Sequence, residues 1–221
     1  MLYIIATPIG NSQDMGGRAL DLLEELDVLL CEDTRRTGML LTVLGVKNKP
    51  RLESYYDEVE REKLSLVMGW LRKGEKVGLV TDGGTPLISD PGWLLVNKCR
   101  QEKIPLTAVP GSSAVINALV LSGLPIGRFC FLGFLPKKAG VRRKLLEKYK
   151  EIKGAKVVYE SPFRLKRLLV ELEQVFGIDL QVAVCREMTK KFEEVITGKV
   201  SEVSKKLGAR KIKGEVVVVF T

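Results

Sequence analysis

From Leu2 to Val109 the chain alternates short apolar runs with longer segments whose apolar residues recur at helical spacing. This alternation narrows the fold more than any other feature. Residues 2–7 (LYIIAT), 27–31 (DVLLC), 76–81 (KVGLVT) and 106–109 (LTAV) read as strands. Between them Ala19, Leu20, Leu22, Leu23 and Leu26 mark one helix, residues 38–44 a second, Leu64, Val67, Met68 and Leu71 a third over 59–72, and residues 94–101 a fourth. The stretch VKNKPRLESYYDE reads as a loop. Strands alternating with helices predict an α/β protein with an open, largely parallel sheet covered by helices.

The pattern changes at VPGSSAVINALVLSGLP. Pro110-Gly111 breaks the chain, Ser112 or Ser113 is placed to cap a helix running to Leu121, and SGLP stops it. Further strands are expected at 129–134, 155–159, 180–185, 192–197 and 215–220, with helices near 141–149 and 165–175. Two α/β domains follow, 1–111 and 112–221, each a mixed or mostly parallel sheet flanked by helices.

Open α/β sheets bind ligands beyond the carboxyl ends of their strands. Four polar loops fall there: TPIGN, CEDTRRTG, TDGGTP and VPGSSA. The chain has no G-x-x-x-x-G-K-[ST] and no G-x-G-x-x-G after the first strand, so neither pyrophosphate-gripping pattern is present. In TDGGTP, Gly83 and Gly84 allow positive φ and let backbone groups approach a flat ligand closely. Asp82 is suited to accept from a ribose hydroxyl or to cap the turn, and a tight turn without any ligand is the plainer alternative. In the following LISDPG, Ser89 or Asp90 is expected to begin the next helix, with Pro91 in its first turn.

The chain contains no histidine, which removes Ser-His and Cys-His nucleophile pairs, histidine general bases and histidine metal ligands together. Proton transfer must use a carboxylate, Lys, Tyr, Cys or water. Cys31, Cys99, Cys130 and Cys185 are widely spaced without a C-x-x-C pair and read as buried free thiols rather than a metal site. The 36 Lys and Arg against 27 Asp and Glu leave a formal charge of +9, an excess that favours polyanions. It concentrates at Lys137-Lys138, Arg142-Arg143-Lys144, Lys148, Lys150 and Lys153, and again at Lys205-Lys206, Arg210-Lys211 and Lys213. Each cluster is either a solvated face or an RNA contact. The apolar run Ile4-Ile5-Ala6 is too short for a membrane span and has no Lys or Arg before it, so a cytoplasmic protein is expected.

LYIIATPIGN, CEDTRRTG, LVTDGGTPLISDPG, VPGSSAVINALVLSGLP, FLGFLPKK, YESPFRL, CREMTKKFEEVITG and KGEVVVVF, in that order over residues 2–220, resemble the motif series of the RsmI family. These are S-adenosylmethionine-dependent 2′-O-ribose methyltransferases of bacterial 16S ribosomal RNA, within the tetrapyrrole-methylase fold. The resemblance implies two domains with the methyl donor in a cleft between them, a homodimer, and as target a cytidine of the decoding region, cytidine 1402 in the usual numbering. It assigns Pro8, Ile9, Gly10, Asp82, Gly83, Gly84, Thr85, Ser112, Ser113 and Ala114 to loops lining the donor pocket. Glu32, Asp33, Thr34 and Arg35 match an acidic loop beside it, and residues 160–164 and 186–193 match motifs of the second domain. Members commonly carry Ala where Gly84 stands, an exchange expected to be harmless, and His where Phe163 stands. They also usually continue past this sequence's last residue with a small segment.

Methyl transfer from a sulfonium is an in-line displacement in which positioning supplies much of the acceleration, which suits a site without histidine. Asp33, then Glu32 or Asp82, are the candidate carboxylates to orient or deprotonate the 2′-hydroxyl; for Asp33 the alternative is the N-cap of the helix that follows. Arg35, Arg36, Arg164, Arg186 and Lys190 are candidates for RNA contact, with an internal ion pair as the alternative for Arg186. Tyr159 is either a base-stacking platform or a core aromatic. Two other functions stay open: a tetrapyrrole-type small-molecule methyltransferase of the same fold, and a non-catalytic RNA-binding or ribosome-assembly protein.

Overall fold

A computed structural model describes every residue, Met1–Thr221. The chain divides into two compact units, Met1–Ser113 and Ala114–Thr221.

The first unit runs β1 (Leu2–Ile5), α1 (Gly17–Glu25), β2 (Val28–Cys31), α2 (Thr34–Val43), β3 (Arg51–Ser54), α3 (Asp57–Arg72), β4 (Val77–Leu79), α4 (Trp93–Gln101) and β5 (Leu106–Val109). Its sheet has the order β3-β2-β4-β1-β5 with every pair parallel. The central strands are apolar without alternation because both faces are covered. Leu2, Ile4, Val28, Leu30, Val77 and Leu79 pack on Val67, Met68 and Leu71 of α3 and Leu95 and Cys99 of α4. Ile5, Leu29 and Cys31 face the other way, onto Ala19 and Leu23 of α1 and Leu41 of α2.

The second unit runs α5 (Ala114–Ser122), β6 (Phe129–Phe134), α6 (Ala139–Lys150), β7 (Ala155–Glu160), α7 (Leu165–Phe176), β8 (Gln181–Arg186), β9 (Glu194–Lys199), α8 (Val200–Leu207) and β10 (Val216–Phe220). Its sheet, β6-β7-β10-β8-β9, is mixed: β6 and β7 are parallel and the other neighbours antiparallel. Val158, Val182, Val184, Val216, Val218 and Phe220 meet the apolar stripes of α7 and α8. Arg142 is completely buried against Glu171 and donates to the carbonyls of Pro136 at 2.9 Å and Lys137 at 3.2 Å. It therefore leaves the cationic surface to which the sequence assigned it and ties down the loop before α6.

Several expectations need correcting. Residues 51–54 form β3, an edge strand whose charged residues hid it inside an apparent loop. Helix α8 escaped the sequence reading although Val200, Val203 and Leu207 are spaced to bury one stripe. Strand β9 begins at Glu194, two residues later than expected, and leaves Phe192 outside it. Helix α4 begins at Trp93 with Gly92 as its N-cap at φ 124°, not at Ser89 or Asp90; Leu87 and Ser89 hold positive φ of 72° and 70° instead. Cys31, Cys99 and Cys185 are buried free thiols, while Cys130 is half-buried. No helix is long and apolar enough to cross a membrane.

Candidate functional site

Because the strands of the first unit are all parallel, the segments leaving β1, β2, β4 and β5 emerge on one edge of the sheet. The central pair makes that edge a site. The chain leaves β1 for α1 on one face and leaves neighbouring β4 for α4 on the other, so a crevice opens between their carboxyl ends.

The loops there are stitched to one another. Thr7 N–H donates to the Gly84 carbonyl at 2.9 Å and Gly84 N–H to the Thr7 carbonyl at 3.0 Å. The Thr7 hydroxyl donates to the Thr81 carbonyl at 3.1 Å, and the Thr85 hydroxyl to the Ser112 carbonyl at 3.1 Å. A side chain at Gly111 would collide with Ala6, since an added Cβ would lie 2.9 Å from the Ala6 Cβ. The structure thus brings Pro8, Ile9, Asp82, Gly83, Gly84, Thr85 and Ser112 to one rim, with Gly10 and Ser113 next along the chain. Ala114 opens α5 and is the first residue of the second unit.

At the rim Gly10, Asp82 and Gly83 are exposed, and Gly84 is buried beside them. Gly84 sits at φ +103°, where an L side chain is strained, whereas Gly83 has an ordinary φ and a Cβ there would lie 3.3 Å from the Pro8 carbonyl. Alanine at Gly84 is therefore not harmless, contrary to the sequence expectation; the small-for-small exchange fits Gly83. Beneath the rim the Thr81 hydroxyl is buried with no hydrogen-bond partner. An orphaned polar atom under bare backbone fits a ligand rich in hydrogen-bonding groups and a flat apolar ring.

Carboxylates gather on the same edge. Glu32 accepts from Asp82 N–H at 3.2 Å, and Asp82 pairs with Arg36 at 2.7 Å. Burial first, then the charges of Asp82 and Asp57, push the Glu32 carboxyl up, against the Asp82 N–H and Arg36. Asp90, which the sequence reading treated as scaffold, is raised to about 7 by burial and then by Glu32, Asp57 and Asp82. Asp33 differs. It is the N-cap of α2, accepting from the N–H groups of Arg35 at 2.9 Å and Arg36 at 3.4 Å, and both its oxygens also take the Arg35 guanidinium. The Arg35 side chain and backbone hold its carboxyl at about 2.

The exit of the glycine loop is secured from a distance. Glu60, buried in the first turn of α3, accepts from the N–H groups of Gly92 at 3.0 Å, Leu94 at 3.1 Å and Leu95 at 3.4 Å and from the Tyr55 hydroxyl at 3.3 Å. It caps α4, whose own N-cap is a glycine. No local sequence signal marks this role.

The remaining candidates lie in the second unit. Arg164 pairs with the buried Glu160 at 2.6 Å, and Lys190 with Glu187 at 3.1 Å and Glu215 at 2.9 Å. Arg186 pairs with Glu194 at 3.3 Å, the internal ion pair left open as its alternative. Tyr159 packs against Phe131 and Phe134, with ring centroids 4.9 and 5.4 Å away.

The model of the family described as tetrapyrrole (corrin/porphyrin) methylases matches residues 1–204. A protein of Pasteurella multocida named ribosomal RNA small subunit methyltransferase I is 40% identical over 222 residues, covering 100% of this chain and 78% of the relative. One of the same name from Thermotoga maritima is 42% identical over 220 residues, covering 100% and 97%. Among solved structures, uroporphyrin-III C-methyltransferase from Thermus thermophilus in complex with S-adenosyl homocysteine superposes with a TM-score of 0.68 at 18% identity, covering 99% of this chain and 96% of that one. The cobalt precorrin-4 methyltransferase structure gives the same TM-score and identity, covering 99% and 93%. At that identity the structural likeness speaks for the fold.

Proposed function

We propose a function from one premise: the chain belongs to the tetrapyrrole methylase family and, within it, to the ribosomal RNA small subunit methyltransferase I family. It is a methyltransferase that uses S-adenosylmethionine to methylate ribosomal RNA of the small subunit, and its acceptor is the 2′-hydroxyl of a cytidine in the decoding region.

The observation that carries the reading is the bare-backbone rim at the β1/β4 crevice with Glu32, Asp82 and Asp90 on the same edge. When bound, the donor supplies an activated methyl group on a positively charged sulfur. The residues present fit it. Pro8–Gly10 and Gly83 offer backbone groups that no bond within the protein occupies, the Thr81 hydroxyl lacks a partner, and the carboxylates favour a cationic ligand. The first unit carries 14 Lys and Arg against 16 Asp and Glu, a net −2, whereas the second carries 22 against 11, a net +11. The whole positive excess of the chain therefore belongs to the unit without the carboxylate rim, and there it favours a polyanionic acceptor.

Glu32 is the residue we assign to the proton of the attacking hydroxyl. Its carboxyl is raised, which makes it a better proton acceptor than Asp33, whose oxygens are occupied and whose carboxyl is held low. Asp82, held by Arg36, orients Glu32 through its N–H and is left to contact the donor or the ribose.

The test is transfer of tritiated methyl groups to unmodified small ribosomal subunits, followed by mapping of the labelled nucleotide. Label on one cytidine ribose of the decoding region is expected. Label on a base, or on a tetrapyrrole and not on RNA, would overturn the reading.

A further inference from the structure

The second unit holds a hollow that the chemistry above does not use. It has a volume of about 440 Å³ and forms where the turn after β8 meets the segment after α8. The turn is held in an unusual shape, with Glu187 at φ 50° and Thr189 at φ 66°. Glu187 N–H donates to the Glu215 carbonyl at 3.0 Å, its carboxylate accepts from Glu215 N–H at 3.0 Å, and Thr189 N–H donates to Glu193 at 2.6 Å. Backbone in a sparsely populated region, over-determined by its neighbours, is characteristic of binding sites.

The walls are cationic and partly pre-set. Glu194 takes the Arg186 guanidinium at 3.3 Å and that of Arg210 at 2.9 Å, and Arg186 also donates to the Lys213 carbonyl at 3.1 Å. One carboxylate thus orients two arginines and leaves a positive charge over. Lys211 and Lys213 add two exposed ammonium groups that enter no ion pair. Glu187 is the acid lining the hollow; it takes Lys190, which Glu215 shares, so with these two included five cations face three carboxylates and the excess stays positive. Ile212 supplies a buried apolar floor, and Phe192 stands at the side with 64% of its surface exposed and Lys191 5.7 Å from its ring centre. Residues 205–213 carry five Lys and Arg and no acid.

We propose that this hollow holds one nucleotide of the RNA substrate, its base stacked on Phe192 over Ile212 and its phosphates on Lys211 and Lys213. The assignment rests on the RNA-methyltransferase reading and adds to it a subsite remote in sequence from the carboxylate rim. An exposed aromatic beside unpaired cations is the combination with which proteins grip single-stranded nucleic acid, since every base has a face to stack. The volume suits a ligand of nucleotide size. The methyl donor is disfavoured by sign: its sulfonium, ammonium and carboxylate leave it a net positive charge, and the lining sets four cations against one carboxylate.

The experiment compares Phe192→Ala and the double variant Lys211→Ala/Lys213→Ala with the wild-type protein. It measures filter binding of unmodified 16S ribosomal RNA over a range of salt, calorimetry with S-adenosylhomocysteine, and thermal unfolding. All three side chains are exposed, so folding is expected to be unchanged. Phe192→Ala is expected to weaken RNA binding about 5- to 150-fold. The double lysine variant is expected to flatten the dependence of log affinity on log salt by about 1.4, at about 0.7 for each single-strand phosphate contact. Donor affinity is expected to match wild type for both. RNA affinity and salt slope equal to wild type in both variants, from an enzyme that still methylates small subunits, would overturn the subsite alone. So would a loss of donor affinity with RNA binding intact. If the variants lose RNA binding while the wild type binds RNA but transfers no methyl group, the subsite stands and the proposed activity falls.

Discussion

Replacing Glu60 by alanine isolates the contact that fixes the far end of the glycine loop. A single oxygen, Oε1, serves three N–H groups at the start of α4 and the Tyr55 hydroxyl, and the side chain is buried. Hydrogen bonds to a charged acceptor contribute about 1.5–3 kcal/mol each, but bonds sharing one oxygen do not add, and loss of an N-cap costs about 0.5–2 kcal/mol by itself. The carboxylate also lies at the positive end of the α4 dipole, worth up to about 2 kcal/mol when partly buried. With some water entering the vacated space, Glu60→Ala is expected to cost about 3–4 kcal/mol. Glu60→Gln keeps a neutral acceptor and is expected to cost about half as much. Urea unfolding reads the free energies, and amide exchange reads the mechanism directly, because Gly92, Leu94 and Leu95 should exchange faster in the alanine variant than other α4 amides do. Affinity for S-adenosylhomocysteine should fall in parallel, since residues 81–92 lose their anchor. An alanine variant within about 1 kcal/mol of wild type, or a glutamine variant no better than alanine, would refute the capping argument.

Gly84→Ala places a Cβ at φ +103° and is expected to cost about 1–3 kcal/mol and most of the donor affinity, while Gly83→Ala should come close to wild type in calorimetry. Asp90 has a carboxyl raised to about 7, so its stabilising effect is complete below its unfolded pKa near 4 and is lost as pH rises through 7. Asp90→Asn should therefore match wild type at about pH 4 and exceed it by about 2 kcal/mol at about pH 8, the full linkage value being halved for solvent screening; superimposable pH–stability curves would count against the cluster. In single-turnover methyl transfer Glu32→Gln should be slowed at least about 100-fold, whereas Asp33→Asn, which preserves an N-cap acceptor, should remain within a few-fold of wild type. The opposite ranking would return the proton-accepting role to Asp33.

What was legible in the sequence depended on how local its cause is. Strands β1, β2 and β4 declared themselves because burial on both faces makes every position apolar, and the loops after them could be placed on one edge once the strands were taken as parallel. Strand β3 stayed hidden because an edge strand carries Arg51 and Glu53 at no cost. The start of α4 misled for a different reason. Ser-Asp-Pro is a sound local helix opening, but the cap comes from Glu60, 32 residues earlier, and the positive φ of Leu87 and Ser89 carries the chain past the expected start. The arginines show the same limit: each was readable as a cation, none as the partner it takes.

Charge shows most clearly what the fold adds. The net +9 was plain from composition, yet it said little, because the total merges a carboxylate-lined unit of −2 with a unit of +11. Once the division at Ser113 separates them, each sign matches a different reactant: a cationic donor for the first unit and a polyanion for the second. Under the proposed function Glu32 and Asp82 then gain a reason to stay acidic in a basic protein, since a basic rim would repel a sulfonium. By the same argument, a charge reversal such as Asp82→Lys should weaken donor binding while leaving RNA affinity near wild type, and Lys211→Glu should do the reverse. If both substitutions moved both affinities together, the division of labour between the two units would be wrong.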